Sequence, residues 1–292
     1  MKNTYIKSPF NWIGNKYQII TQLHKIFPNN IETLIDYFCG GCDISINTPA
    51  NEKIAVDVNS YLISILQEFQ NHSLDEIISF IENRIAEFNL SKENEEGFLQ
   101  YREAYNTNPE YQSPLDLYTL TRFSFHFTMR FNGNMNFNAG FGRKYSNFSA
   151  RQRQSIIPFH KEIQKIELKC ANFYDIDLNN YNKNTTFLYF DPPYLITNQV
   201  YNNGVPEAFQ RWDTEDEKEL LKYIKIAHNL GFKFALSNVL NHRGKTNMIL
   251  KEWIEENGFI IHDIYNPAYS HCTHTVSQDA TPTREIVVTN YE

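Results

Sequence analysis

In this 292-residue chain, the segment whose residue types come nearest to a chemistry is Asp191-Pro192-Pro193-Tyr194. It follows Phe187-Leu188-Tyr189-Phe190, an apolar run that reads as a buried strand, so the tetrapeptide falls at a strand's C-terminal end. Ligands of open α/β sheets collect outside those ends. Paired prolines fix two φ angles and remove two backbone donors, leaving a stiff loop whose carbonyls can accept. A carboxylate, rigid carbonyls and an aromatic face suit a planar, amino-bearing group, as activation of an exocyclic amine for methylation would require. The same residues also read as an ordinary turn, and only their company separates the two readings.

Three other segments supply that company. Pro9-Phe10-Asn11-Trp12-Ile13-Gly14-Asn15-Lys16 offers an indole and an ammonium to an anionic group, or forms a surface turn before a helix. Asp36-Tyr37-Phe38-Cys39-Gly40-Gly41 sets a glycine turn behind a first strand, where a ligand can approach the backbone closely. Asp57 ends a second strand, Ile54-Ala55-Val56-Asp57-Val58, where nucleotide-type sites place an acid for ribose hydroxyls; a helix cap is the plainer use. Cys39-x-x-Cys42 has metal or redox spacing without a second pair, which favours packing. His271-Cys272-x-His274 could hold a metal only with a partner elsewhere.

The composition, 41% hydrophobic and 15% aromatic, is that of a folded chain with one large domain or two modest ones. No apolar stretch approaches the roughly 20 residues that span a bilayer. The start, Met1-Lys2-Asn3-Thr4-Tyr5, has no apolar signal core, and four cysteines (Cys39, Cys42, Cys170, Cys272) fit a reducing compartment. The expected location is the cytoplasm. A net charge of −7 argues against a nucleic-acid partner until its distribution is seen. Between Tyr118 and Cys170, nine basic residues, among them Arg122, Arg130, Arg143 and Lys144, stand against Glu162 and Glu167 alone, a local +7. Such a stripe is the footprint of phosphate binding, or else a solvated face of mixed charge.

The elements that must position these groups alternate in type. Strand patterns at 33–38 and 54–58 are followed by a helical pattern through Leu62, Ile65, Leu66 and Phe69, the rhythm of a parallel sheet. Ser73 and Glu76 suggest a capping box, and helical patterns continue at 95–105 and 115–128. Strands return at 168–173 and 186–190. Helices are expected at 216–228 and 247–256, and strands at 232–236, 259–265 and 285–289. The division this implies is a sheet-forming domain of residues 1–59 and 166–292, interrupted by a helix-rich insertion of residues 60–165.

In this order the segments resemble the DNA adenine methylase (Dam-type) family, the alpha or D12 class of N6-adenine DNA methyltransferases. The resemblance rests on Trp12-x-Gly14-x-Lys16, Phe38-x-Gly40, Asp57-Val58-Asn59, Arg130-Phe131-Asn132-Gly133, Phe141-Gly142-Arg143, Asp191-Pro192-Pro193-Tyr194, Leu236-Ser237-Asn238 and the closing Arg284–Tyr291 stretch. It departs from the family pattern at Asn15, where a second glycine is usual, at Asp36-Tyr37, where a Glu-Pro pair is usual, and at Cys42.

The resemblance implies an α/β, Rossmann-like S-adenosylmethionine-dependent methyltransferase with a mixed sheet and a helical target-recognition insertion. It implies S-adenosylmethionine as cofactor, with no metal, and Trp12, Lys16, Phe38, Gly40, Asp57, Phe173 and Asp191 as the residues that hold it. Asp191, the Pro192 carbonyl and Tyr194 become the catalytic group, with Tyr194 stacking on an adenine flipped from the duplex. Double-stranded DNA becomes the partner, gripped by Arg122, Arg130, Asn132, Arg143 and Lys144. A cognate restriction endonuclease acting separately is a further partner such enzymes can have, and no membrane is involved. Neither the target sequence nor the oligomeric state carries over. Competing readings are an RNA or protein-amide methyltransferase, whose related loop typically has Asn where Asp191 stands, and a silent nucleic-acid-binding homologue.

Overall fold

The structure, a computed structural model, describes residues 5–10, 14–145, 147–197, 212–266 and 283–292. Trp12 and the His271-Cys272-x-His274 group lie outside the described residues. In chain order the helices are α1 (Ile20–Ile26), α2 (Asp43–Asn47), α3 (Ser60–Asn71), α4 (Leu74–Glu87), α5 (Glu95–Thr107), α6 (Pro114–Phe123), α7 (Ala150–Ile163), α8 (Thr214–Leu230) and α9 (Met248–Asn257). The strands are β1 (Thr33–Tyr37), β2 (Glu52–Asp57), β3 (Glu167–Cys170), β4 (Thr186–Phe190), β5 (Lys233–His242), β6 (Lys245–Thr246), β7 (Ile260–Ile264) and β8 (Arg284–Thr289).

Two compact units form. One contains Lys16–Asp57 with the described residues of 171–200 and 211–292; the other contains Val58–Cys170 with the described residues before Lys16. The first unit is α/β. Its sheet runs β2-β1-β4-β5-β8-β7, with β6 paired to β5. The β2, β1, β4 and β5 strands are mutually parallel, whereas β8 is antiparallel to both β5 and β7. Every residue of β1 and β4 is buried, so neither shows regular polar alternation: β4 is apolar after Thr186, and β1 carries buried Asp36 among Leu34, Ile35 and Tyr37.

The two faces of that sheet are covered separately. On one, Ile35, Tyr37, Leu188, Phe190 and Leu236 join Leu220, Leu221, Ile224 and Ala227 of α8. Residues from the other parity of β4, Phe187 and Tyr189, meet the ring of Phe27 at 4.9 and 5.3 Å, just past α1. The apolar spacing of α8 directs one stripe at the sheet, and its ends are set chemically. Asp213 accepts from the backbone of Glu215 and Asp216, and Gly231 takes φ +96° to close the last turn. Truncating Ile224 to Ala would cost about 2–5 kcal/mol through the cavity left behind. The β5 strand extends to His242, past the expected 232–236, because β8 pairs along its second half and gives polar Ser237 and Asn238 a ladder partner.

The second unit is helical. The expected Ser73/Glu76 capping box is present at α4, and α6 starts on another from Ser113 and Asp116, with Pro114 at its first position. Asp116 is fully buried, yet it accepts from Arg84 Nε at 2.8 Å and the Tyr101 hydroxyl at 2.6 Å. Phe10 packs edge-on against Phe69, Tyr118 and Phe159. The α6 helix ends at Phe123, short of the expected 128. Ser124 turns its hydroxyl onto the carbonyls of Thr121 and Thr128, and His126 and Phe127 take positive φ. Phe125 is thereby exposed.

Candidate active site

Register brings the first unit's candidate residues into one row. Tyr37 of β1 pairs with Val56 of β2 on one side and Phe190 of β4 on the other. One residue further along each strand stand Phe38, Asp57 and Asp191, level at the C-terminal edge. The chain leaves β1 for β2 on one side and returns to β4 on the other, so this is a topological switch point. Two backbone bonds hold the row: Asp191 N–H donates to Tyr37 O at 3.4 Å, and Cys39 N–H to Val56 O at 3.0 Å.

The loop after β1 is wound tightly. Phe38, Gly40 and Cys42 have φ of +60°, +49° and +62°. For an aromatic residue such a φ costs on the order of 1–3 kcal/mol and persists only where surroundings impose it. Gly40 N–H donates to Asp57 Oδ2 at 3.1 Å, which ties the loop to the second strand's acid. The half-buried Phe38 ring meets Phe173 at 5.7 Å and, edge-on, Trp212 at 5.6 Å. Trp212 is fixed in turn by Glu217, which accepts its indole N–H at 2.8 Å together with the side chains of Asn238 and Asn247. A carboxylate beside a half-buried aromatic wall can take a flat heterocycle and adjoining hydroxyls.

A second cluster surrounds Asp191. Lys16 Nζ lies 2.5 Å from Asp191 Oδ2, with both side chains largely buried. Tyr194 donates to Asp191 Oδ1 at 3.1 Å and also reaches Glu285 Oε1 at 3.3 Å, while Lys16 Nζ sits 5.4 Å from the Tyr194 ring centroid. Glu285 accepts from Asn266 Nδ2 at 2.7 Å on its other oxygen. Burial pushes the Asp191 and Glu285 carboxyls up, and the Lys16 ammonium pulls both back. Asp36, beneath them, is pushed up to about 7, first by burial and also by the charges of Asp191 and Asp57, against the Ser45 donors that steady it. Each oxygen of Asp191 keeps a further lone pair for a substrate N–H.

Lys16, Phe38, Gly40, Asp57, Phe173, Asp191, Pro192 and Tyr194 thus all lie in the first unit. Glu285 went unnoticed in the sequence because it begins a run that reads simply as the closing strand. Antiparallel pairing with β5 brings the start of β8 to the edge where the parallel strands end. The available signal was an acid heading Ile286-Val287-Val288. The Tyr194 ring is only 5% exposed, so stacking on a base requires it to emerge.

The expected DNA-contacting residues lie in the second unit and differ among themselves. Arg130, Arg143 and Lys144 are exposed, and Arg143 is 3.7 Å from Glu95. Asn132 spends its side-chain oxygen internally, accepting from the backbone of Asn134 and Asn136 at 3.0 Å each and shaping the turn between Phe131 and Phe137. Arg122 is not on a surface stripe: it is buried under Phe127. The stripe's charge is also less isolated than its sequence suggests, because Arg153 pairs with Glu82 of α4 at 2.7 Å. Cys39 and Cys42 are buried free thiols. No helix among the described residues is long and apolar enough to cross a membrane.

An α/β sheet with its acids and aromatic residues gathered at the switch point defines a class of nucleotide-type binding fold. Comparison with known proteins makes the class specific. Residues 12–267 match the family described as D12 class N6 adenine-specific DNA methyltransferase, and the chain belongs to that family. It is 38% identical over 290 residues to the modification methylase StsI of Streptococcus sanguinis, across 99% of this chain and 43% of that protein. It is likewise 38% identical over 291 residues to the type II methyltransferase M.FokI of Planomicrobium okeanokoites, again across 99% of this chain and 43% of the relative. The DNA adenine methylase of Escherichia coli K12 is 26% identical over 246 residues, 84% of this chain and 82% of its own. The chain therefore spans less than half the length of the two modification methylases.

Proposed function

We propose that this chain transfers a methyl group from S-adenosylmethionine to N6 of adenine in double-stranded DNA. The observation that carries the reading is the row of Phe38, Asp57 and Asp191 set by strand register, with Lys16 held on Asp191. The first unit's residues suit the donor. Asp57 would accept its ribose hydroxyls, and Phe38 and Phe173 would flank its flat part. Bound there, the donor supplies an electrophilic methyl group.

The chain's residues deal with the amine. Its lone pair is delocalised into the adenine ring, so it attacks poorly until its two hydrogens are held out of the ring plane. Asp191 and the Pro192 carbonyl would accept those hydrogens and so orient the lone pair towards the methyl group that a bound donor would supply. Asp191 must be a carboxylate to do so, and Lys16 favours that form in a site whose burial opposes it. Tyr194 steadies Asp191 through its hydroxyl. The reading of the second unit as the target-recognition region, with Arg130, Arg143 and Lys144 gripping DNA, is supported by their exposure and by the type of family. A separately acting restriction endonuclease is the partner that the names of the two modification methylases suggest.

The test is expression in a methylation-free host with mapping of modified bases, wild type beside Asp191→Ala. N6-methyladenine at one short motif is expected from wild type. Loss of 10²-fold or more is expected from the variant, the typical cost of one positioned charge-stabilising group. Modified cytosines alone, or more than about a tenth of wild-type turnover in the variant, would overturn the assignment.

A further inference from the structure

The β5–β6 hairpin carries charges that the proposed mechanism does not use. His242 pairs with Lys245 across a two-residue turn, Arg243-Gly244, whose φ angles are +47° and +80°. Positive φ at both central residues marks a type I′ turn, which favours Asn, Asp or Gly at its first position. An arginine is strained there, and strain of this kind gathers at functional sites. Residues 243–246 are all exposed, and a side chain added at Gly244 would meet nothing among the described residues. The hairpin's base is held firmly. Asn241 Nδ2 donates to Thr246 Oγ1 at 2.9 Å, Asn247 N–H donates to Leu240 O at 2.9 Å, and His242 Nδ1 lies 2.8 Å from Thr283 Oγ1.

Its place in the sheet gives those charges a direction. Phe190 of β4 pairs with Leu236 of β5, so Asp191 stands level with Ser237, and β5 runs on past it to His242. At about 3.3 Å per residue the turn rises roughly 15 Å beyond the edge on which Asp57 and Asp191 sit. Among the described residues neither Arg243 nor Lys245 enters an ion pair. Arg284, in register with Asn241, is by contrast neutralised by Asp263 at 2.6 Å. The uncompensated charge is felt locally: after burial, Arg243 and Lys245 are what lower the pKa of His242. A rigid, exposed and unpaired cationic tip above a crevice attracts a polyanion that lies along the rim.

We infer that the β5–β6 hairpin is a phosphate-gripping finger of the first unit, with Arg243 and Lys245 on the DNA backbone beside the nucleotide presented to Asp191. The choice of DNA as the polyanion rests on the proposed function. An adenine seated at Asp191 leaves its own phosphates outside the strand ends, at the height to which the hairpin rises. Such a contact fixes the position of the strand and carries no sequence information.

The test is the double variant Arg243→Asn, Lys245→Gln, which removes both charges and places at the turn a residue that a type I′ geometry favours. Its melting temperature should equal or exceed that of wild type. A lower one would show that the two side chains serve the hairpin's own stability, and would overturn the inference. Binding is then titrated against salt, with a duplex that contains the methylated motif and one that lacks it. Both should bind at least 10-fold more weakly at about 50 mM salt, with a salt dependence flatter by about two units, one for each lost phosphate contact. Wild-type affinity and slope in the variant would sink the inference. So would a loss confined to the motif-bearing duplex with an unchanged slope, which would mean base reading. A loss of S-adenosylmethionine binding with duplex binding intact would mean that the cations serve the donor, and would sink it as well. Binding is measured without turnover, so wild-type protein that binds duplex yet transfers no methyl group would sink the proposed function and leave this inference standing.

Discussion

Lys16 and Asp191, 175 positions apart in sequence, meet at 2.5 Å in the buried floor of the candidate active site. The ammonium also faces Glu285, so one cation serves two carboxylates that burial pushes towards protonation. Removing it should change the ionisation of the site more than its shape.

Lys16→Met is accordingly expected to raise the pKa of Asp191. Methyl transfer by the variant should be depressed at neutral pH and should recover as pH rises, because in the proposed mechanism the carboxylate form of Asp191 accepts the amine's hydrogens. The check is the pH dependence of single-turnover rate at saturating donor and DNA. A profile parallel to wild type would show that Lys16 does not govern the charge of Asp191.

Tyr194→Phe has a different expected outcome from the one a purely stacking residue would give. The ring survives, but the hydroxyl's bonds to Asp191 and Glu285 disappear. Leaving buried acceptors without a donor costs about 1–3 kcal/mol, so turnover should fall by about 10-fold or more. In the proposed mechanism Glu285 would act through that hydroxyl as a positioning residue. Glu285→Gln should therefore lower kcat in wild type while leaving KM for DNA unchanged, and should change little in the Tyr194→Phe background. Independent, multiplicative losses in a double-mutant cycle would refute the coupling.

Asp36 supplies a stability prediction whose sign can be worked out. Its folded pKa of about 7 lies above the ordinary 3.8, so between those values the folded protein binds a proton that the unfolded chain does not. Stability from this group is therefore fullest below the lower value and declines as pH rises to the upper one, by at most roughly 4 kcal/mol at 1.36 kcal/mol per pH unit. Asp36→Asn keeps an acceptor for the Ser45 donors and cannot ionise. Its melting temperature should gain on wild type as pH rises from 5 to 8. A constant difference across that range would contradict the assignment.

Arg130 and Arg143 should separate by role once modified adenines are mapped. Where an arginine grips a phosphate, its replacement by Ala weakens binding to all sequences and flattens the salt dependence by about one unit. Where it reads a base edge, the same replacement relaxes the motif at one position. Arg143 already faces Glu95 at 3.7 Å and is exposed, the setting of a group that grips phosphate. A relaxed motif in Arg143→Ala with an unchanged salt slope would reverse that reading.

What the sequence determined by itself was local. The unbroken apolar run 187–190 identified β4 because a strand buried on both faces leaves no polar alternation. The ends of α8 and α9 are local too: Gly231 and Gly258 directly follow them in the left-handed conformation, which glycine adopts without a side-chain clash. Asp191, Asp57 and the Gly40 turn were legible because each lies at or just past the C-terminal end of a strand. Only the tertiary structure decided what depends on register and burial. Glu285 comes to share the Tyr194 hydroxyl with Asp191 through an antiparallel pairing that no local pattern encodes. Asn132 is spent on its own turn, and Arg122, one of nine basic residues in a stretch that reads as a surface stripe, is buried with no carboxylate paired to it among the described residues. Charge can be counted along a chain, but desolvation is a property of the neighbours, and those come from the fold.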